Sequence, residues 1–184
     1  MTTNDVFNSL STHMIKGMMI HEQLANYYQF LGLHGYKRCH DYHFIHESKC
    51  FRKLNRYFID HHYALIKENS IEDPKIIPDS WFQHETTDLD ENDITEGVKS
   101  GIQKWVMWEK ETKLLYSNMY LELVRNGCVS GAEFVSKHLL KDVDHELKKA
   151  SREWIKLTSA NFDILFILGE QKSIHDKYKK KMKR

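Results

Sequence analysis

Residues 32–54 read GLHGYKRCHDYHFIHESKCFRKL, and this stretch decides the fold. Gly32-Leu33-His34-Gly35 brings two glycines together and breaks the apolar spacing that runs from residue 5 to about 31. Glycine opens backbone conformations that a helix interior does not use, so the chain turns there. The helical pattern resumes at residue 37 and continues to about 68. So short a break between two long helices makes them antiparallel neighbours. On the second helix Phe44, Phe51, Leu54, Phe58 and Leu65 recur in steps of three, four and seven and mark the buried face. Glu47 sits between Phe44 and Phe51. A carboxylate therefore lies on the core side.

The segments on either side complete the architecture. Residues 5 to about 31 form the first helix, with Asn4 or Asp5 available as its N-cap. Between residues 71 and 96 the chain holds nine acids, one lysine and both prolines, Pro74 and Pro78, which stops the second helix. Residues 69–93 read as a long crossover. A third helix spans 94 to about 125 and ends at Asn126-Gly127, and a fourth spans 131 to about 159. Phe162 to about Lys181 is expected to be a short fifth helix, partly frayed. Short turn, long crossover and short turn predict an all-α, up-down-down-up four-helix bundle, organised as one domain over residues 1–184.

Composition agrees and narrows the function classes. Eight glycines and two prolines in 184 residues suit a mostly helical chain. The 27 basic and 26 acidic residues leave a formal net charge of +1, which removes any global bias toward nucleic acid or anionic membranes. Cys39, Cys50 and Cys128 are odd in number and lack CxxC spacing, so neither a disulfide framework nor a cysteine-only zinc site is suggested. A reducing cytoplasm suits them. No apolar run approaches the roughly 20 residues needed to span a bilayer, and no basic-then-apolar leader opens the chain. The expectation is a soluble cytoplasmic protein.

Each of the four helices places an acid among apolar neighbours. Glu22 shares a face with Ile15 and Met19 on the first; Glu47 lies on the second. Glu109 interrupts the stripe Ile102, Trp105, Val106, Tyr116 and Leu123 on the third. On the fourth, Leu139 leads to Asp142 and His145. An isolated buried carboxylate costs several kcal/mol, so a converging set needs a cation, protons or compensating bases. Oxygen ligands with one imidazole suit iron or manganese.

The run 32–54 resembles, without a gap, the turn and second helix of non-haem ferritins. Glu47 falls on that family's bridging glutamate and Cys50 on its histidine. The run Glu109–Asp142 keeps the family's spacing too: Glu109 takes the third-helix glutamate position, and Asp142 falls where ferritins carry Gln or Glu. His145 matches the histidine of bacterioferritin-type proteins or the outer acid of bacterial ferritins. On the first helix Glu22 balances the distance from Glu47 to the turn, whereas a gap placed elsewhere puts Gly17 there. The resemblance implies a di-iron carboxylate protein that binds and oxidises Fe(II), with metal ligands Glu22, Glu47, Glu109, Asp142 and His145. Glu47 and Glu109 are its central catalytic pair. It also implies iron, with manganese as a variant, and a homo-oligomer serving iron storage or protection against oxidative stress. With cysteine in place of histidine the site is degenerate, and a metal-free bundle acting in assembly is the alternative.

Other features have milder readings. Cys50 is a small apolar filler or a soft ligand. His43 and His46 flank Glu47 and replace the missing imidazole only if the helix rotates locally. The tail from Gln171 to Arg184 carries seven Lys or Arg against one Asp. That is a solvated helix end or, less simply, a DNA contact of the kind made by DNA-protecting mini-ferritins.

Overall fold

Thr2 caps the first helix, which starts at Thr3, two residues ahead of the expected start. Its hydroxyl accepts from the Asp5 amide while the Asp5 carboxylate accepts from the Thr2 amide, a reciprocal capping box. The computed structural model describes residues 1–62, 85 and 89–182. Within them the chain runs α1 (Thr3–Phe30), α2 (His34–His62), α3 (Glu91–Arg125), α4 (Val129–Phe134), a π-helical segment (Val135–Leu140), α5 (Lys141–Ser159) and α6 (Ile164–Met182). Most of the expected crossover, and the end of the second helix with Leu65, lie outside the described residues. α3 begins three residues early because Asp90 and Asp93 form a second capping box.

Gly32 turns the chain between α1 and α2 at a φ of 72°, and Gly127 turns it between α3 and α4 at 70°, both in the left-handed region. Contacts at the two ends of α1 fix the topology. Asn126, just beyond α3, donates to the Met1 carbonyl, and Gly97 near the start of α3 packs on Leu31 and Tyr27. α1 and α3 therefore run antiparallel, α2 and α3 run the same way, and the order is up-down-down-up.

α6 is packed rather than frayed. Ile167, Ile174 and Tyr178 are buried, and Gln171 accepts from the Gly35 amide. The approach is close enough that a Cβ at Gly35 would stand 1.8 Å from the Gln171 carbonyl oxygen. The basic end of α6 also has local partners, with Lys181 over the rings of Tyr42 and Tyr178.

Two core clusters fill the bundle. One gathers Tyr27, Tyr28, Tyr36, Trp105, Trp108 and α6 around the α1–α2 turn. The other gathers Phe7, Leu10, Met14, Leu54, Phe58, Leu123 and Val135 at the opposite end.

Candidate metal centre

The carboxylates lie between the two core clusters. Glu47 from α2, Glu109 from α3, and Asp142 and Glu146 from α5 line a cavity of about 10 Å³, closed by Thr112, Tyr116, Leu139 and Val143. That is the lower limit for one water molecule or one ion. Glu109 is 4% exposed and accepts from the Trp105 indole at 3.0 Å; His21 Nε2 lies 3.9 Å away. Glu146 is 5% exposed. One of its oxygens accepts from Lys149 at 2.6 Å, while Oε2 has no hydrogen-bond partner although His43 Nδ1 is 3.2 Å away. Burial pushes the Glu47 carboxyl up to about 7, and burial together with Glu47 and Glu146 holds Glu109 well above the ordinary carboxylate range. Negative charge is thus poorly compensated at this point, which is what a cation seat requires.

α1 contributes no acid. Its inward residue at this level is Gly17, where a Cβ would meet Trp108 at 3.2 Å and the Glu47 carboxyl carbon at 3.7 Å. Glu22 is exposed, because the buried stripe runs Leu10, Met14, Gly17, His21, Leu24 and Tyr28, one position off the face shared by Ile15 and Met19. At about 100° per residue, one position carries a side chain off the buried stripe. His145 is likewise exposed and Glu146 takes the inward place. From Leu139 the buried stripe continues through Val143, Glu146, Ala150, Glu153 and Leu157. Two successive steps of three from Leu139 lag by about 60° each and leave the core face. The expected set therefore divides. Glu47, Glu109 and Asp142 come together; Glu22 and His145 do not join them.

On the fourth chain segment the π turn lies immediately before Asp142. An amide reaching five residues back inserts an extra residue into the turn, and such insertions re-aim the side chains that follow. Asp142 here faces α2 sideways: its Oδ2 is 2.5 Å from His46 Nε2 and 3.6 Å from Cys50 Sγ. The Asp142 hydrogen bond raises the His46 imidazole to about 11, while burial works against Asp142 ionisation and is outweighed by His46, leaving that carboxyl below its usual range. Cys50, at the position where the ferritin resemblance expects histidine, thus borders both Asp142 and the carboxylate cavity.

Three buried histidines back the centre: His21 and His40, whose Nδ1 atoms are 3.1 Å apart, and His43. Burial drives His21 down to about 3 and His40 and His43 well below the usual imidazole value, so all three are neutral. Their rings stack on one another and on Tyr28, with Trp105 edge-on to His40.

The same bundle recurs among solved structures. An open-pore ferritin from the hyperthermophilic archaeon Archaeoglobus fulgidus superposes with a TM-score of 0.78 over 94% of both chains at 14% sequence identity. The fold is ferritin-like. A closed form of the Archaeoglobus fulgidus ferritin made by site-directed mutagenesis and a humanized archaeal ferritin each give 0.76 with the same coverage and identity. No family model and no curated protein matches the sequence. Among the described residues no helix is long and apolar enough to cross a membrane.

Glu146 and His21 are the residues of this ferritin-like interior that sequence reading passed over, while Gly17 is the alternative it left open on the first helix. Glu146 follows Leu139 by seven residues and Ala150 by minus four, a helical spacing that marks it as inward once Leu139 is fixed as core. For His21 no comparable sign exists, since an imidazole on an apolar stripe reads equally as a surface residue.

Proposed function

We propose that this ferritin-like protein binds Fe(II) at Glu47, Glu109 and Glu146, with Asp142 at the rim, and takes part in iron handling. The observation that carries the reading is the Glu146 Oε2 atom, buried, without a hydrogen-bond partner, and placed with Glu47 and Glu109 around one ion-sized cavity. Hard carboxylate oxygens suit Fe(II) or Mn(II). Trp105 orients Glu109 and Lys149 orients Glu146, so two of the three ligands are held before an ion arrives. Desolvation pushes the Glu47 carboxyl up to about 7, so it holds a proton for part of the time near neutrality, and cation entry displaces it. With Gly17 opposite, the first helix supplies no ligand, so one iron is well held and a second position is incomplete. Oxidation by oxygen or peroxide, the reaction that the ferritin resemblance implies, would proceed at that unequal pair.

Anaerobic Fe(II) titration followed by oxygen tests the reading. Saturable uptake and a near-ultraviolet ferric absorbance, both lost in Glu109→Gln and Glu146→Gln, are expected. Uptake no greater than in those variants would leave a bundle that keeps the fold without the metal. That second reading draws on Gly17 and on the Lys149 ion pair, which partly compensates Glu146.

A homo-oligomer is part of the same proposal. Met107, Leu114 and Leu121 lie seven residues apart and are 52%, 64% and 49% exposed along the outer face of α3. An apolar stripe of that kind is suited to a subunit contact. Light scattering of the wild type against Leu114→Lys reports the assembly.

A further inference from the structure

Beside the carboxylate cavity, on the outer side of α2 and α5, lies a second group of ligand atoms with different chemistry. His46, Cys50 and Asp142 each offer one atom, and these atoms lie within 4.8 Å of one another, the one such group of three or more among the described residues. His46 and Cys50 are four residues apart on α2 and so share one face, and Asp142 meets them from the first turn of α5. We propose that these three residues form a second site, sharing Asp142 with the rim of the carboxylate seat, for a borderline divalent ion of the zinc type, with the Cys50 thiolate as its distinguishing ligand. This does not rest on iron binding at Glu109 and Glu146.

The geometry supports a tetrahedral ion. With metal–ligand lengths of about 2.3 Å for sulfur and 2.0–2.1 Å for nitrogen and oxygen, a tetrahedron has S–N and S–O edges of roughly 3.5–3.6 Å and an N–O edge of about 3.3 Å. The Cys50 Sγ atom is 3.8 Å from His46 Nε2 and 3.6 Å from Asp142 Oδ2, close to those edges. The His46–Asp142 separation of 2.5 Å is shorter because the two share a hydrogen bond, and it would open by less than about 1 Å around an ion.

The donor set also separates this site from its neighbour. Three carboxylates favour a hard ion; thiolate and imidazole with one carboxylate favour zinc over manganese or magnesium. The fourth position faces a cavity of about 540 Å³ whose charged lining is Lys53, Lys137, Lys141 and Lys148 with Asp144, beside His138 and His145. An ion held by one thiolate and one carboxylate is neutral overall; with Lys137 engaged by Glu133 and Asp144 by Lys113, the charges of Lys53, Lys141 and Lys148 then favour water-derived hydroxide or a small anion at the open position. The exposed His145 accordingly belongs to the wall of this cavity and not to the carboxylate seat.

Co(II) titration of the reduced full-length protein tests the assignment. A thiolate-to-cobalt charge-transfer band in the near ultraviolet with intense tetrahedral visible bands is expected at one equivalent, displaced by Zn(II). Cys50→Ser and Cys50→Ala should lose the charge-transfer band. Asp142→Asn and His46→Gln should weaken binding by more than the roughly 10- to 100-fold typical of losing an outer-shell partner. Glu109→Gln and Glu146→Gln should leave the band intact, which separates this site from the iron reading. Circular dichroism verifies that each variant folds. Cobalt binding without the band, a band that survives in both Cys50 variants, or no binding at all would overturn the proposal.

Discussion

The two ends of the bundle interior are built from different chemistry. At the end away from the α1–α2 turn the core is Val6, Phe7, Leu10, Met14, Leu54, Phe58 and Leu123, a largely apolar packing. At the turn end three neutral histidines stand among Tyr28, Tyr36, Trp105 and Tyr178, and several of their polar atoms, His40 Nε2, His43 Nε2 and Tyr28 Oη, have no hydrogen-bond partner. The difference shows how a bundle carries polar groups inside. An imidazole held neutral stacks like an aromatic ring, so burial there requires ring neighbours more than ionic partners. The carboxylates have no ring to stack, and Glu47, Glu109, Asp142 and Glu146 instead collect around one small cavity at the seam between the two ends.

The comparison breaks first, and by the largest amount, in the apolar end. Phe58→Ala should lower unfolding stability by about 3–5 kcal/mol, since Phe58 is 1% exposed and packs on Phe7 and His62. Urea unfolding monitored by circular dichroism reads this directly. The stacking argument predicts a smaller change at the other end. His40→Leu replaces a neutral ring of similar size and removes an unpartnered nitrogen, and should alter stability by less than about 1.5 kcal/mol in the same experiment. A loss as large as that of Phe58→Ala would mean that the His21–His40 hydrogen bond, and not ring packing, holds this end together.

The smallest effect is a pH dependence at the seam. His13 stacks on Trp108, bonds Thr112 at 2.8 Å, and is held down to about 4 by burial and by Lys16. Its folded value lies below the unfolded 6.5, so the unfolded chain binds more protons in this window. The stability it contributes is present above pH 6.5 and is lost as pH falls toward 4. His13→Gln should therefore flatten the decline in Tm between pH 7 and pH 5 by about 2–4 °C, corresponding to roughly 1 kcal/mol. An unchanged slope would show that His13 is already solvated in the folded state.

The helices and their order were legible because they depend on local signals. Gly32 and Asn126-Gly127 mark where helices stop, and so short a break makes the helices on either side antiparallel neighbours. Glu47 and Glu109 were legible for a related reason. Glu109 interrupts a long apolar stripe whose phase is secured on both sides by Trp105 and Tyr116; on α2 Leu54 and Phe58 are buried as expected, while Phe44 and Phe51 are only half-buried and His43 takes the inward place one turn before Glu47. Glu22 and His145 were misplaced where the phase is weak. α1 is apolar on more than one side, with Ile15 and Met19 half-buried beside the true stripe, and the fourth segment changes phase at its π turn.

By itself, then, the sequence determined the bundle, its up-down-down-up order, and the presence of carboxylates on the inner faces of α2 and α3, since helical periodicity and breaker residues act within a few residues along the chain. Only the tertiary structure decided that Gly17 faces the carboxylates, that Glu146 replaces His145, and that His46 and Cys50 join Asp142 across two helices. Those outcomes depend on the rotation of one helix against another to within about 100°, a single residue step, and that rotation is settled by how the side chains of all the helices pack together.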